Sequence, residues 1–175
     1  MRKVVLGVAV SLDGFIEGPN GEYDWCFTDQ DYGMTDFMAR IDTIFMGRKS
    51  YEVASAMAVP DDQKAWAGVK TYVFSNTLKS APEGTELVSG DIIAVVEKIK
   101  QTPGKDIWLF GGASLTTSFM NAGLVDELNL AVHPILLGKG KPLFSGIIQR
   151  IKTKLTETKP YDTGLVSLTY EVLRA

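Results

Sequence analysis

Four short clusters concentrate the residues with the most chemistry in this chain: Ser11-Leu12-Asp13-Gly14, Gly47-Arg48-Lys49-Ser50, Ser75-Asn76 and Gly111-Gly112-Ala113-Ser114. The second combines a flexible glycine, two cations and a hydroxyl where an apolar strand gives way to a helix. A helix N-terminus carries unpaired N–H donors and about half a positive charge, so it favours phosphate. Arg48 adds a bidentate grip and Lys49 a point charge, which together suit a ribose 2′-phosphate. An ordinary strand-to-helix turn with solvated cations is the alternative. The fourth cluster removes side chains where backbone must approach a ligand or turn through positive φ, and then begins another helix. It offers a second anion seat, suited to a pyrophosphate, with tight strand–helix packing as the plain reading.

Asp13 is the carboxylate best placed to touch a substrate, because it lies on a long polar segment, 11–28, beside the first strand. Reducing a C=N bond puts hydride on carbon and a proton on nitrogen, which calls for an ionisable group or a relayed water. Asp-Gly is equally a common turn pair. Trp25 and Phe27, on the same segment, wall a flat heterocycle unless they simply pack in the core. Asp29, Asp31 and Asp36 read as helix-start or surface charges.

Other chemistries are excluded by what the 175 residues lack. Cys26 is the only cysteine and His133 the only histidine, so an intrachain disulfide, a thiolate zinc cluster and a His-rich metal site are out of reach. No metal is expected. A net charge of −3 and a pI near 5.2 argue against nucleic acid as the main partner. Lys98, Lys100 and Lys105 read as a solvated helix end. Arg2 and Lys3 precede only a short apolar run, too brief for a signal peptide, and no stretch approaches the ~20 apolar residues of a membrane helix. A cytoplasmic protein is expected. Neither G-x-G-x-x-G nor a Walker A pattern occurs. His133-Pro134 and the glycines of 136–144 read as a structural turn.

The elements that must position these clusters follow from periodicity. Apolar, β-branched runs at 4–10, 43–46, 71–74 and 107–110 predict buried strands. Helical spacing appears at 31–41, 51–57, 92–99 and 113–121, with Asp91 as an N-cap and Gly123 as a C′ residue. Alternating strands and helices predict right-handed crossovers and a mainly parallel sheet with helices on both faces. Segments 127–132, 154–158 and 166–173 alternate apolar and polar residues and predict antiparallel strands added at the edge. One α/β domain, 1–175, is expected. In such a sheet ligands bind beyond the carboxyl ends of the strands, so the four clusters should meet on one rim.

Taken in order, these segments resemble the dihydrofolate reductase-like superfamily, and within it the RibD C-terminal domain, the reductase of bacterial riboflavin biosynthesis. The similarity lies in Val8-Ala9-Val10-Ser11-Leu12-Asp13-Gly14, Asp42 through Tyr51 with Met46-Gly47-Arg48-Lys49-Ser50, and Ile107 through Leu115 with its Gly-Gly pair. Leu124-Val125-Asp126-Glu127-Leu128 and Pro134-Ile135-Leu136-Leu137-Gly138 resemble the riboflavin branch in particular. The resemblance implies a three-layer reductase fold and NADPH as cofactor, held by Gly47, Arg48, Lys49, Ser50, Ser75, Asn76, Gly111, Gly112, Ala113, Ser114 and Leu115. Ala9 and Ile16 would flank the nicotinamide and Asp13 would meet the substrate. It also implies a homodimer. The implied reaction is reduction of a phosphoribosylaminopyrimidine or a similar imine. The alternatives are reduction of dihydrofolate or another pterin, and NADPH binding without catalysis. Two departures bear on the choice: Gln30 stands where dihydrofolate reductases carry a helix carboxylate after their Trp, here Trp25, and no deaminase motif is present.

Overall fold

The computed structural model describes residues 1–57 and 68–174. Strand β1 (Val4–Ser11) leads through a turn at Gly14 into the short β2 (Phe15–Glu17). After a long loop come α1 (Met34–Ala39), β3 (Ile41–Gly47) and, with no intervening residue, α2 (Arg48–Met57). Next follow β4 (Lys70–Phe74), β5 (Thr85–Val88), α3 (Ile92–Lys100), β6 (Asp106–Gly111) and α4 (Ala113–Asn121). The chain closes with β7 (Glu127–His133), β8 (Lys141–Pro142), β9 (Thr153–Pro160) and β10 (Val166–Val172).

The main sheet has the order β5-β4-β3-β6-β1-β7-β10-β9. Its first six strands are parallel, and β10 runs antiparallel to both β7 and β9. Alternating side chains divide between two cores. Val4, Leu6, Phe45, Ile107 and Leu109 face Val96 and Ile99 of α3 and Phe119 and Met120 of α4. Val5, Ile44, Met46 and Trp108 face Phe37 of α1, with Tyr51 and Ala54 of α2 beside them. Helices therefore cover both faces. Asp91 caps α3 as its sequence predicts, its carboxylate accepting from the Ile93 and Ala94 N–H groups. Gly123 (φ 66°) turns the chain after α4, and the Leu124 N–H returns to the Phe119 carbonyl. No helix among the described residues is long and apolar enough to cross a membrane.

Four expectations are corrected. Segment 127–132 is not an antiparallel edge strand: β7 pairs in parallel with β1 over its whole length. Helix α4 carries the chain back across the sheet, so β7 starts at the same end as β1. The alternation that suggested an edge arises because Asn129 and Ala131 face a cleft rather than a helix. Helix α1 is shorter than the spacing over 31–41 suggests. It begins only after Gly33 (φ 80°), and Ile41 is taken into β3. Strand β5 was not anticipated, being short and half polar. Finally, Lys100 is not solvated. It is fully buried at 0% exposure, with Nζ 2.8 Å from the Asp126 carboxylate.

That carboxylate is a hub at the amino end of the sheet, away from the four clusters. It also accepts from Arg174 at 2.6 Å and from the Val4 N–H at 2.8 Å. Breaking such a pair on one side leaves a buried charge without compensation.

Candidate functional site

Because β1, β3, β4 and β6 are parallel, their carboxyl ends lie on one rim, and a cleft of about 1670 Å³ opens there. Ordinary small-molecule sites run to about 300–1,000 Å³, so this one has room for a cofactor and a second ligand together. It has two arms. The first runs along the ends of β3, β4 and β6. The second is a trough over the open face of β1, β7, β10 and β9, bounded by α1.

The first arm gathers Gly47, Arg48, Lys49, Ser50, Ser75, Asn76, Gly112, Ala113, Ser114 and Leu115. Helices α2 and α4 begin side by side in it. A methyl group placed on Gly112 would stand 2.9 Å from Ser50 Oγ, closer than real side chains approach. Gly112 also has φ 63° and ψ 142°, a conformation nearly confined to glycine. Two helix N-termini are thereby directed at one small volume, which is the arrangement a doubly phosphorylated ligand needs. Arg48 bonds Glu52 at 2.7 Å one turn along α2. An exposed pair of this kind is worth about 0–1 kcal/mol, less than a charged bond to phosphate, so Arg48 remains available. The Ser75 hydroxyl accepts from the Thr77 and Leu78 N–H groups, and Asn76 accepts from Gly90, which shapes the turn after β4.

Ala9 and Ile16 line the junction of the two arms, and Phe27 lines it from the 18–33 loop. The trough floor is built from the small and polar face of the sheet: Gly7, Asn129, Ala131, Ser167 and Thr169. Gly7 has to be glycine because a side chain there would strike Phe37 at 2.8 Å and Trp108 at 2.9 Å. Asn129 donates to the Thr169 hydroxyl. Tyr32, Tyr161 and Lys159 form the far wall, with Lys159 Nζ 5.2 Å from the Tyr161 ring centre. Sequence reading missed this trough. Its signal was the run of small and polar residues at every second position of β7 and β10.

Three expected residues fall elsewhere. Asp13 is not among the residues that line the cleft. Its carboxylate accepts from Ser11 Oγ at 2.6 Å, the Leu137 N–H at 3.1 Å and the Gly138 N–H at 2.7 Å. These bonds, the Ser11 hydroxyl first, hold it below the usual carboxylate range. Asp13 thus clamps the β1–β2 turn to the 134–138 turn. The structure places Asp13 in a clamp between two turns and not in the lining of the cleft. Trp25 stands behind the cleft, its indole N–H on the Glu22 carbonyl. Gly111 is buried at the end of β6 with positive φ (106°) and does not line the cleft. Cys26 does line it, but burial pushes its thiol up to about 11, so no thiolate nucleophile is available near neutral pH.

A pH prediction follows for Asp13. Its folded value lies below the unfolded one, so the clamp's contribution is complete above the unfolded carboxylate range and is lost as pH falls through the folded value. Asp13→Asn should remove that part of the acid-unfolding profile, measured by circular dichroism, and leave any reductase activity largely intact. A collapse of turnover with an unchanged acid profile would instead support the catalytic assignment.

Comparisons with known proteins agree with this architecture. The sequence pattern described as "RibD C-terminal domain" matches residues 2–167. The protein YyaP of Bacillus subtilis (strain 168) is 48% identical over 177 residues, covering 97% of this chain and 94% of its own. A putative riboflavin biosynthesis protein from Shewanella sp. PV-4 superposes with a TM-score of 0.85 at 26% identity, over 99% of this chain and 100% of the other. Dihydrofolate reductase from Enterococcus faecalis, solved in complex with NADP(H), shares the fold with a TM-score of 0.70 at 16% identity, over 97% and 96% of the two chains. The chain belongs to the RibD C-terminal domain family, on a dihydrofolate reductase-like α/β fold.

Proposed function

We propose that this protein is an NADPH-dependent reductase that passes hydride to a phosphoribosylaminopyrimidine or a similar imine. The observation that carries the reading is the convergence of the α2 and α4 N-termini, through Ser50 and Gly112, at one end of a cleft large enough for two ligands. NADPH, when bound, supplies the hydride. Gly112 to Leu115 receive its pyrophosphate on backbone N–H groups, and Arg48, Lys49 and Ser75 receive the 2′-phosphate. Ala9 and Ile16 flank the nicotinamide, and Phe27 and the trough floor orient the acceptor. The proton arrives through the open trough, where Asp36 of α1 and Glu157 of β9 are ionisable groups lining the path. The whole chain acts as one domain, as a cytoplasmic homodimer. The exposed edge strand β9 supports the dimer, since a sheet edge offers unpaired backbone groups to a second chain.

The test is loss of NADPH absorbance with the phosphoribosylaminopyrimidine and, separately, with dihydrofolate. Turnover of the pyrimidine alone is the expected result. Efficient turnover of dihydrofolate would make this a pterin reductase, and binding without turnover of either would make it a non-catalytic NADPH protein. Cofactor choice gives a sharper prediction. Arg48→Ala should weaken NADPH by about 1–3 kcal/mol, roughly fivefold to 150-fold, and hardly change NADH. Calorimetric titration with each cofactor checks this, and equal losses would contradict the 2′-phosphate assignment.

A further inference from the structure

We propose that His133 is a positioning residue of the cleft, holding segment 25–27 to the end of β7 so that Cys26 and Phe27 stay in its wall. The activity readout below rests on the reductase reading. The contact itself does not.

His133 is 3% exposed, and a buried imidazole needs partners for both nitrogens. Nε2 lies 3.1 Å from the Phe27 backbone nitrogen. A backbone N–H can only donate, so Nε2 must be the acceptor. Nδ1 therefore carries the proton and donates it to the Ala131 carbonyl at 3.0 Å. The neutral form with hydrogen on Nδ1 is the one that satisfies both contacts, and burial also favours the uncharged ring. With both nitrogens occupied, His133 has no free atom for proton transfer to a substrate. It acts through what it holds.

What it holds is a line of rings. Trp25 meets the imidazole edge-on at 5.3 Å and 86°, and Phe27 lies 5.1 Å from it. Phe27 continues to Tyr32 at 6.2 Å, and Tyr32 to Tyr161 at 5.0 Å. Tyr32 has φ 50°, left-handed and costly for a tyrosine, and its hydroxyl donates to Asp29. The Phe27 N–H bond joins residues 106 positions apart and ties this wall to the sheet. Nearer in sequence, the Cys26 N–H donates to the Tyr23 carbonyl and the Trp25 indole to the Glu22 carbonyl, while Tyr32 also bonds Thr163 across the trough's far wall.

Two amide variants separate the atoms. His133→Gln extends far enough to place its oxygen near the position of Nε2 and accept from Phe27. His133→Asn reaches only as far as Nδ1 and retains the Ala131 contact alone. Both keep a polar side chain at the site. In the NADPH-consuming assay with the phosphoribosylaminopyrimidine, His133→Asn should lower kcat/KM by about tenfold to a hundredfold, and His133→Gln should restore most of it. Hydrogen exchange at the Phe27 amide should accelerate in Asn and stay near the wild-type rate in Gln. Equal losses in both variants, or no loss in either, would overturn the proposal. If the wild type neither binds nor consumes NADPH, the reductase reading fails on its own. The exchange rates then decide the role of His133 by the same split.

Discussion

Replacing Gly112 with alanine is expected to weaken NADPH binding by about tenfold or more and to cost the fold about 1–3 kcal/mol. Two causes act together. Alanine resists φ 63° with ψ 142°, and its methyl group would stand 2.9 Å from Ser50 Oγ. Relief requires the start of α4 to move away from the start of α2, which spreads the two sets of N–H donors. Gly84→Ala is the control. Gly84 also has positive φ (73°), but nothing lies within 4 Å of an added methyl group. It should lose some stability and no affinity. Urea unfolding and calorimetry on the two variants check the pair, and undiminished NADPH affinity in Gly112→Ala would contradict the placement of the pyrophosphate.

The largest effect on stability should come from the opposite end of the sheet. Asp126→Ala leaves Lys100 fully buried without its carboxylate and frees the Val4 N–H, and is expected to destabilise by about 3–5 kcal/mol. For a chain of this size that corresponds to a fall in Tm on the order of 10 °C. Lys100→Met should cost much less. Asp126 would keep Arg174 and the Val4 N–H, and the methionine would fill most of the space. Thermal unfolding gives the order, and a larger loss for Lys100→Met would contradict it. This hub gives the Leu124-Val125-Asp126 segment a structural role independent of the cleft.

Local signals in the sequence were read well, and long-range ones were not. Gly47 to Ser50 and Gly112 to Leu115 were legible because each lies at the end of an apolar strand. A parallel sheet brings all such ends to one rim. Asp91 and Gly123 were legible as caps because a cap is a contact between near neighbours. The clamp at Asp13 was not legible because its amide partners, Leu137 and Gly138, lie 124 and 125 residues away. Nothing near Asp13 in the chain distinguishes a clamp from a catalyst. Lys100 was misread for the same reason, its charge being answered from the start of β7 and not by solvent. The trough depends on β7 lying beside β1 and β10 beside β7. That pairing turns Asn129, Ala131 and Thr169 from an exposed edge into a floor.

The cofactor seat is tested most directly by recording backbone amide signals while NADPH is titrated into the protein. The amides of residues 47–50, 75–76 and 112–115 should shift together and saturate at a common concentration, with residues around Asp126 unaffected. An unchanged spectrum, or saturable shifts confined to parts of the chain outside those segments, would contradict the paired helix starts as the place where the dinucleotide binds.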